Sequence, residues 1–484
     1  MNHSTAVIRE PLQKLLARLP VEDHPLVGEA YLWANASHEG QHRDAGQPYI
    51  THPIYVAMIL ASELGFYRDD EMMVAALLHD AVEDSALDLE DIAPSFGEAV
   101  AVLVRGVTKV EEAHGRSRAT RRAATLQRLF SAAREDPRVL ILKLADRIHN
   151  MRSIEGIHEG TRIQRIAQET VDVYIPLCHL MGIGKVRREL EDRCLACLEP
   201  ASYAVLKPPQ EDEAPAVLVS FVGALGQALH GQGLRTRIRV HPKHATSLYR
   251  KLRRGGKTAK DAASLALYDR YAVEVIATNR DSCYRALGVI HSRFVPTMEG
   301  FRDFIALPRR NGYRALHTRV GFENEEIEIY TKTPSMHRMG ELGVTTLRGD
   351  RLQEQERMRW LHELADWQEA AEDSQGAGGT STHLLNELKR ILFVAEIVVF
   401  TPKRDSVILP EGATLLDFAF AVHSDMGLHC IGGTVNGVPE TPSTPLNWGD
   451  TVEVMTSPEQ TPKQHWLRFV KTYRARRTIK RMLR

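Results

Sequence analysis

The chain has 484 residues, too many for a single hydrophobic core, so about two to four domains are expected. Its 62 basic and 62 acidic residues cancel, which excludes any argument from bulk charge for nucleic-acid or membrane binding. Cys178, Cys194, Cys197, Cys283 and Cys430 are an odd, scattered set without a secretory signal, pointing to a reducing cytoplasm rather than a disulfide scaffold, and no apolar run is long enough to span a bilayer.

To about Pro200 the chain is dominated by helical periodicity with capping signals. His38-Glu-Gly-Gln-His-Arg43-Asp-Ala-Gly-Gln-Pro-Tyr49-Ile-Thr-His52-Pro53 combines a basic, glycine-containing loop with a histidine just before a proline suited to the first turn of a helix. In Ala75-Ala-Leu-Leu-His-Asp-Ala-Val-Glu-Asp84 a continuing helix would set Glu83 over His79 and Asp84 over Asp80, because residues four apart share a face. Val139-Leu-Ile-Leu-Lys143-Leu-Ala-Asp146-Arg147-Ile-His149-Asn150-Met-Arg152 is an apolar helix on which Asp146 and Asn150 are co-facial. His52, His79, Asp80 and Asp146 together offer two imidazoles and two carboxylates, a mixed nitrogen and oxygen set suited to Mn²⁺, Fe²⁺ or Zn²⁺. Cys194 and Cys197 form a Cys-x-x-Cys in a helical pattern with no second ligand pair at zinc-site spacing, and are read as structural.

These segments, with Phe96-Gly97, Val104-Arg-Gly-Val-Thr-Lys109 and Glu169-Thr-Val-Asp-Val-Tyr-Ile-Pro-Leu177, resemble the hydrolase domain of the RelA/SpoT homologue family, which makes and destroys the alarmones ppGpp and pppGpp. The resemblance implies an all-helical HD-type domain over residues 1–200, in which His52, His79, Asp80 and Asp146 bind Mn²⁺. It implies that Glu83 and Asp84 handle the attacking water, and that Arg43 and Asn150 contact the guanine nucleotide.

Leu206 to Pro215, rich in proline and acidic residues, reads as a boundary. Beyond it, Thr236–Val240, Tyr271–Ile276, Ala286–Ile290, Ala315–Val320 and Glu326–Tyr330 read as strands of a mixed sheet flanked by helices. Residues 216–346 resemble the family's nucleotidyltransferase-like synthetase domain, which transfers pyrophosphate from ATP to the 3′-hydroxyl of GDP or GTP. Lys243, Ser247, Lys251, Asp269, Tyr313, His317 and Glu328 match its anchors. The resemblance implies that Asp269 and Glu328 serve Mg²⁺ and the 3′-hydroxyl, and that Tyr313 stacks on guanine. The chain then departs from the pattern: His241 and Glu274 replace arginines, Gly300 opens the Arg-x-Lys-Asp element, and Tyr330 and Lys332 replace Gln and Arg. Phosphoryl transfer depends on positive groups that neutralise the moving phosphates, so this domain is expected to be degenerate, with Mg²⁺ as a cofactor only if it is active.

A helix around Arg351 to Ala371 and a flexible break at Ser374–Ser381 fill a linker over 347–395. Residues 396–460 resemble the TGS domain, a β-grasp unit, with strands at Ile397–Pro402, Ser406–Pro410 and Thr451–Met455, a helix at Leu415–His423, and the segment His423-Ser-Asp-Met-Gly-Leu-His429-Cys430. In the family this module implies contact with tRNA or the ribosome, although Leu428 stands where histidine is frequent. A basic tail over 461–484 carries Lys463, Arg468, Lys471, Arg474, Arg476, Arg477, Lys480, Arg481 and Arg484. The chain ends there, so the family's zinc-finger and ACT domains are expected to be absent. The expected activity is Mn²⁺-dependent hydrolysis of ppGpp and pppGpp to GDP or GTP and pyrophosphate in the cytoplasm. The alternatives are a bifunctional enzyme and a TGS-mediated RNA-binding regulator.

Overall fold

A computed structural model describes residues 3–82, 88–108, 118–207, 214–297, 301–309, 311–347 and 396–483. Glu83, Asp84 and Gly300, the helix expected around Arg351 and the break at Ser374–Ser381 lie outside the described residues. The chain divides into two compact units, Met1–Lys389 and Arg390–Arg484.

The first unit begins all-helical: α1 (His3–Leu16), α2 (His24–Ser37), α3 (Thr51–Ser62), α4 (Asp70–Leu78), α5 (Leu89–Phe96), α6 (Glu98–Val107), α7 (Arg118–Glu135) and α8 (Arg138–Arg152). After α9 (Gly160–Glu169) a five-residue π turn, Thr170–Tyr174, leads into α10 (Ile175–Leu180), α11 (Gly184–Leu198) and α12 (Pro200–Leu206). Helix α4 starts where Asp69 accepts a hydrogen bond from Met72 N at 3.0 Å. Its residues Met72–Leu78 are all buried, since a helix apolar on every face must be enclosed, here by α2, α3, α6 and α8. Whatever polar group follows Leu78 is thereby delivered into the interior.

Helix α13 (Ala216–Gly231) leads into β1 (Thr236–Pro242), α14 (Ala245–Arg254), α15 (Leu267–Arg270), β2 (Tyr271–Ala277), α16 (Arg280–Arg293), β3 (Arg302–Asp303), β4 (Leu316–Phe322), β5 (Glu325–Lys332) and α17 (Pro334–Leu342). The strands form one mixed sheet of order β1-β2-β5-β4-β3, with β2 and β5 parallel. Ala286–Ile290, expected as a strand, is instead the middle of α16. Asn279 caps that helix through Ser282 N at 2.8 Å, and Cys283, Ala286 and Ile290 form its buried stripe. Val273, Val275, Val320, Ile327 and Ile329 pack one sheet face on α13 and α16, leaving a polar face opposite.

In the second unit β6 (Glu396–Phe400) pairs with β7 (Ser406–Pro410); α18 (Leu415–Val422) and α19 (Ser424–Leu428) follow, then β8 (Cys430–Val435), β9 (Val438–Glu440) and β10 (Val452–Thr456) in the order β10-β8-β9. Helix α18 lies against β7, β8 and β10, the β-grasp arrangement. The basic segment is built into this core: Trp466 and Val470, with Ala475 and Ile479 of α20 (Tyr473–Met482), join the cluster around Phe418 and Phe420.

Candidate active site

Helix α4 stops at Leu78, so His79 and Asp80 occupy the turn that closes it. Glu83 and Asp84, expected one turn further on, lie outside the described residues. His79 Nδ1 lies 2.7 Å from Ala76 O, and a carbonyl can only accept, so the proton sits on Nδ1 and Nε2 presents a lone pair. That Nε2 is buried and, among the described residues, has no hydrogen-bond partner. Ligand atoms of His52, at the start of α3, His79 and Asp146, on α8, lie within 4.8 Å of one another. Asp80 flanks them, with Oδ2 3.4 Å from His52 Nε2 and Oδ1 3.4 Å from His79 Nε2; Asp146 Oδ1 is 3.3 Å from His52 Nε2.

Buried carboxylates need compensation. Tyr49 donates to Asp80 Oδ2 at 2.9 Å, Lys143 Nζ stands 3.0 Å from Asp146 Oδ2, and Asn150 Nδ2 donates to Asp146 Oδ1 at 2.5 Å. Arg43 donates to Asn150 Oδ1 at 3.2 Å and to Ser153 Oγ at 3.0 Å, so the loop guanidinium reaches the cluster through Asn150. The loop is held by the His42–Pro48 bridge and a turn in which Gly46, at φ +80°, donates to Arg43 O at 2.8 Å.

Burial would raise the pKa of Asp146, yet Lys143 and the two imidazoles hold it well below the usual carboxylate range. Asp80 behaves likewise, with burial outweighed by His79 and His52. Burial would lower His52, but Asp146 and Asp80 reverse the sign and raise it. The cluster thus attracts positive charge onto the side where imidazole and carboxylate atoms converge. An orphaned buried nitrogen, a second imidazole and two carboxylates fit a divalent first-row cation, which would displace the His52 proton.

Of the expected site residues, His52, His79, Asp80, Asp146, Asn150 and Arg43 come together here. Tyr49, Lys143, His149 and Ser153 were not singled out. His149 and Lys143 were visible in principle, each three residues from Asp146 on the same helix.

Family models match in three places: an HD domain over residues 30–184, a region found in RelA/SpoT proteins over 240–347, and a TGS domain over 397–456. The bifunctional (p)ppGpp synthase/hydrolase SpoT of Escherichia coli K12 is 36% identical over 98% of this chain and 67% of its own length. The chain belongs to the RelA/SpoT family. A guanosine-3′,5′-bis(diphosphate) 3′-pyrophosphohydrolase of Aquifex aeolicus is 36% identical over 99% of the chain and 67% of its own, and a GTP pyrophosphokinase of Myxococcus xanthus is 36% identical over 95% and 60%.

The region shared with RelA/SpoT proteins places its polar residues on the open sheet face. Arg239 is opposite Glu274, Glu274 opposite Tyr330, Tyr330 opposite His317, and Arg319 opposite Glu328. The expected anchors are drawn into internal pairs. Lys243 bonds Glu328 and donates to Tyr268 O at 2.7 Å; Lys251 Nζ is 3.3 Å from Asp269 Oδ1; Tyr330 donates to Glu328 at 2.8 Å. Tyr313, expected to stack on a base, hydrogen-bonds His317 Nε2 at 2.8 Å and packs edge-on against Phe304. Ser247 lies exposed on α14. Glu274, standing where an arginine was expected, is buried in an ion pair with Lys332, with His337 Nδ1 3.6 Å away.

In the TGS module Asp417 is fully buried, accepting from Thr414 N at 2.9 Å and from Lys471 N and Thr472 N at 3.0 and 2.7 Å. Arg474, Arg477, Lys480 and Arg481 of α20 are exposed. Among the described residues no helix is long and apolar enough to cross a membrane.

Proposed function

We propose that the chain hydrolyses ppGpp and pppGpp to GDP or GTP and pyrophosphate at the cluster of His52, His79, Asp80 and Asp146, with Mn²⁺ as the cation. The observation that carries this is the buried His79 Nε2, without a hydrogen-bond partner among the described residues, facing two carboxylates and a second imidazole beside the Arg43–Asn150 bridge. When bound, Mn²⁺ supplies Lewis acidity toward phosphoryl oxygen and acidifies water. Arg43 holds nucleotide phosphate with its planar fork, and Asn150, already bonded to Asp146, sets the distance between that fork and the ligands. Glu83 and Asp84 orient the water and accept its proton. The water oxygen bonds to the proximal phosphorus of the 3′-diphosphate, the bond from that phosphorus to the ribose oxygen breaks, and that oxygen takes up a proton. Pyrophosphate leaves.

Synthesis from ATP and GDP is not assigned to the middle domain, because Lys243, Lys251 and Lys332 each face a carboxylate of the same domain. The buried free thiols Cys178, Cys194, Cys283 and Cys430 support a cytoplasmic location. The exposed cations of α20, anchored to the module through Asp417, support contact with tRNA or ribosomal RNA, read out by salt-dependent binding of tRNA to the chain.

The activity is tested by incubating the chain and its Asp80→Ala and His79→Ala variants with Mn²⁺ and ppGpp and resolving nucleotides by anion-exchange chromatography. Both variants should release no pyrophosphate while keeping the wild-type circular dichroism spectrum. Wild-type turnover in either would overturn the assignment.

A further inference from the structure

His52 presents both ring nitrogens to partners. Nε2 faces Asp80 and Asp146 at 3.4 and 3.3 Å, and Nδ1 lies 2.6 Å from Nδ1 of His149. Two imidazole nitrogens in hydrogen-bond contact share one hydrogen, so one ring donates and the other accepts. We infer that His149 is a positioning residue: its Nδ1 accepts the proton of His52 Nδ1 and so fixes His52 with a lone pair on Nε2, aimed at the cation. This rests on the metal-site reading given above.

The chemistry runs in one direction only. If His52 ligates through Nε2, its proton must reside on Nδ1, so His149 Nδ1 must be unprotonated and the single proton of His149 must be on its own Nε2. The opposite arrangement, with His149 donating, would put the His52 proton on Nε2 and block ligation. His79 reaches the same tautomer by another route, through the carbonyl of Ala76 at 2.7 Å, which cannot donate. His149 is held for its task by two constraints. It sits three residues after Asp146 on α8, and its ring stacks on Tyr55 with centroids 5.3 Å apart and planes 12° apart. A carboxylate would accept the same hydrogen, but would add a third negative charge beside Asp80 and Asp146. A neutral imidazole does not.

The experiment measures Mn²⁺ affinity of the full chain by electron paramagnetic resonance of free Mn²⁺, without substrate. His149→Phe keeps the stack on Tyr55 and removes the acceptor, and affinity should fall about 10- to 100-fold, the usual cost of losing a partner behind a ligating histidine. His149→Asn returns an acceptor oxygen near the position of Nδ1, and should restore affinity to within a few-fold of wild type. Wild-type affinity in the Phe variant, or an Asn variant as weak as Phe, would overturn the inference. Because the Phe variant could misfold, histidine ¹⁵N spectra of the unsubstituted chain with Zn²⁺ as a diamagnetic probe give a second reading. They should show the proton of His149 on Nε2 and that of His52 on Nδ1; a proton on His149 Nδ1 would refute it. His79→Ala separates the two claims. Unchanged Mn²⁺ binding there would remove the metal site itself, whereas loss there with retention in His149→Phe would remove only the role of His149.

Discussion

Reversing the charge at Glu274 tests whether the middle domain has turned its phosphate-facing cations inward. Glu274 and Lys332 are 7% and 5% exposed, and they lie on one face of the parallel β2–β5 pair, because Glu274 is opposite Tyr330 and Lys332 is two residues further on. Glu274→Lys leaves Lys332 beside a like charge. At an effective dielectric near 20, two unit charges about 4 Å apart interact by about 4 kcal/mol, and removing one partner of a buried pair costs about 3–5 kcal/mol. A loss of about 3 kcal/mol corresponds to roughly 150-fold faster amide exchange from the opened state.

The assay is hydrogen exchange by mass spectrometry on peptides covering 271–277 and 325–332. Glu274→Lys and Lys332→Glu should each accelerate exchange on the order of a hundredfold, and the doubly swapped variant should recover most of the protection. Burial would raise the Glu274 pKa, but Lys332, with His241 and His337, lowers it. A depressed carboxylate contributes stability that is fully present above its ordinary value of 4.5 and is lost as pH falls through the lower folded value. Melting temperature should therefore show no loss from this pair between neutral pH and about pH 5. Exchange within a few-fold of wild type in both single variants, or no recovery in the swap, would refute the reasoning.

Blocking hydrolysis with Asp80→Ala should reveal no ppGpp from ATP and GDP by chromatography, and the Glu274→Arg reversion should not restore it, because Lys332 would then oppose a buried cation. Glu83→Gln should keep wild-type Mn²⁺ content by metal analysis while lowering turnover about 10²- to 10⁴-fold, the range for a general base. Arg43→Ala should raise KM for ppGpp about tenfold or more with Mn²⁺ content unchanged, separating nucleotide binding from ligation. Asp417→Asn should cost about 2–4 kcal/mol, because an amide presents donors to Lys471 N and Thr472 N; chemical denaturation followed at Trp466 and faster trypsin cleavage after Lys471 would report it.

Local periodicity made α3, α4 and α8 legible, together with the residues they carry. It also made β1, β2, β4 and β5 legible, since alternating apolar runs must bury one face. Ala286–Ile290 misled because a short apolar run does not by itself distinguish a buried strand from a helix, although Asn279 three residues before Ser282 was a cap in plain view. The turn at His79 was missed for a related reason: Ala75–Leu78 reads as a helix that could continue, and only the packing of α4 shows where it stops. Arg43, Asn150 and Asp146 were each singled out, but their linkage spans 107 residues of sequence and follows from tertiary structure alone. The pairing of Glu274 with Lys332 needed the strand register, which no composition or spacing supplies.

The two polar faces of the first unit differ in what they leave unsatisfied, and that difference carries the functional argument further than any one residue does. On the sheet face, each of Lys243, Lys251 and Lys332 has a carboxylate of its own domain, so a polyphosphate entering there must break a pair for each of these three lysines it engages. Those pairs are internal and need no diffusion to re-form, so the ligand competes against a permanently local anion. In the helical cluster the balance runs the other way. Lys143 reaches one oxygen of Asp146, while among the described residues the Nε2 of His79 has no hydrogen-bond partner and Asp80 converges on it. Burying an unpartnered nitrogen and two carboxylates together is costly unless a cation repays it. The helical site is therefore completed by binding a cation, whereas Lys243, Lys251 and Lys332 of the sheet face are already paired without a ligand.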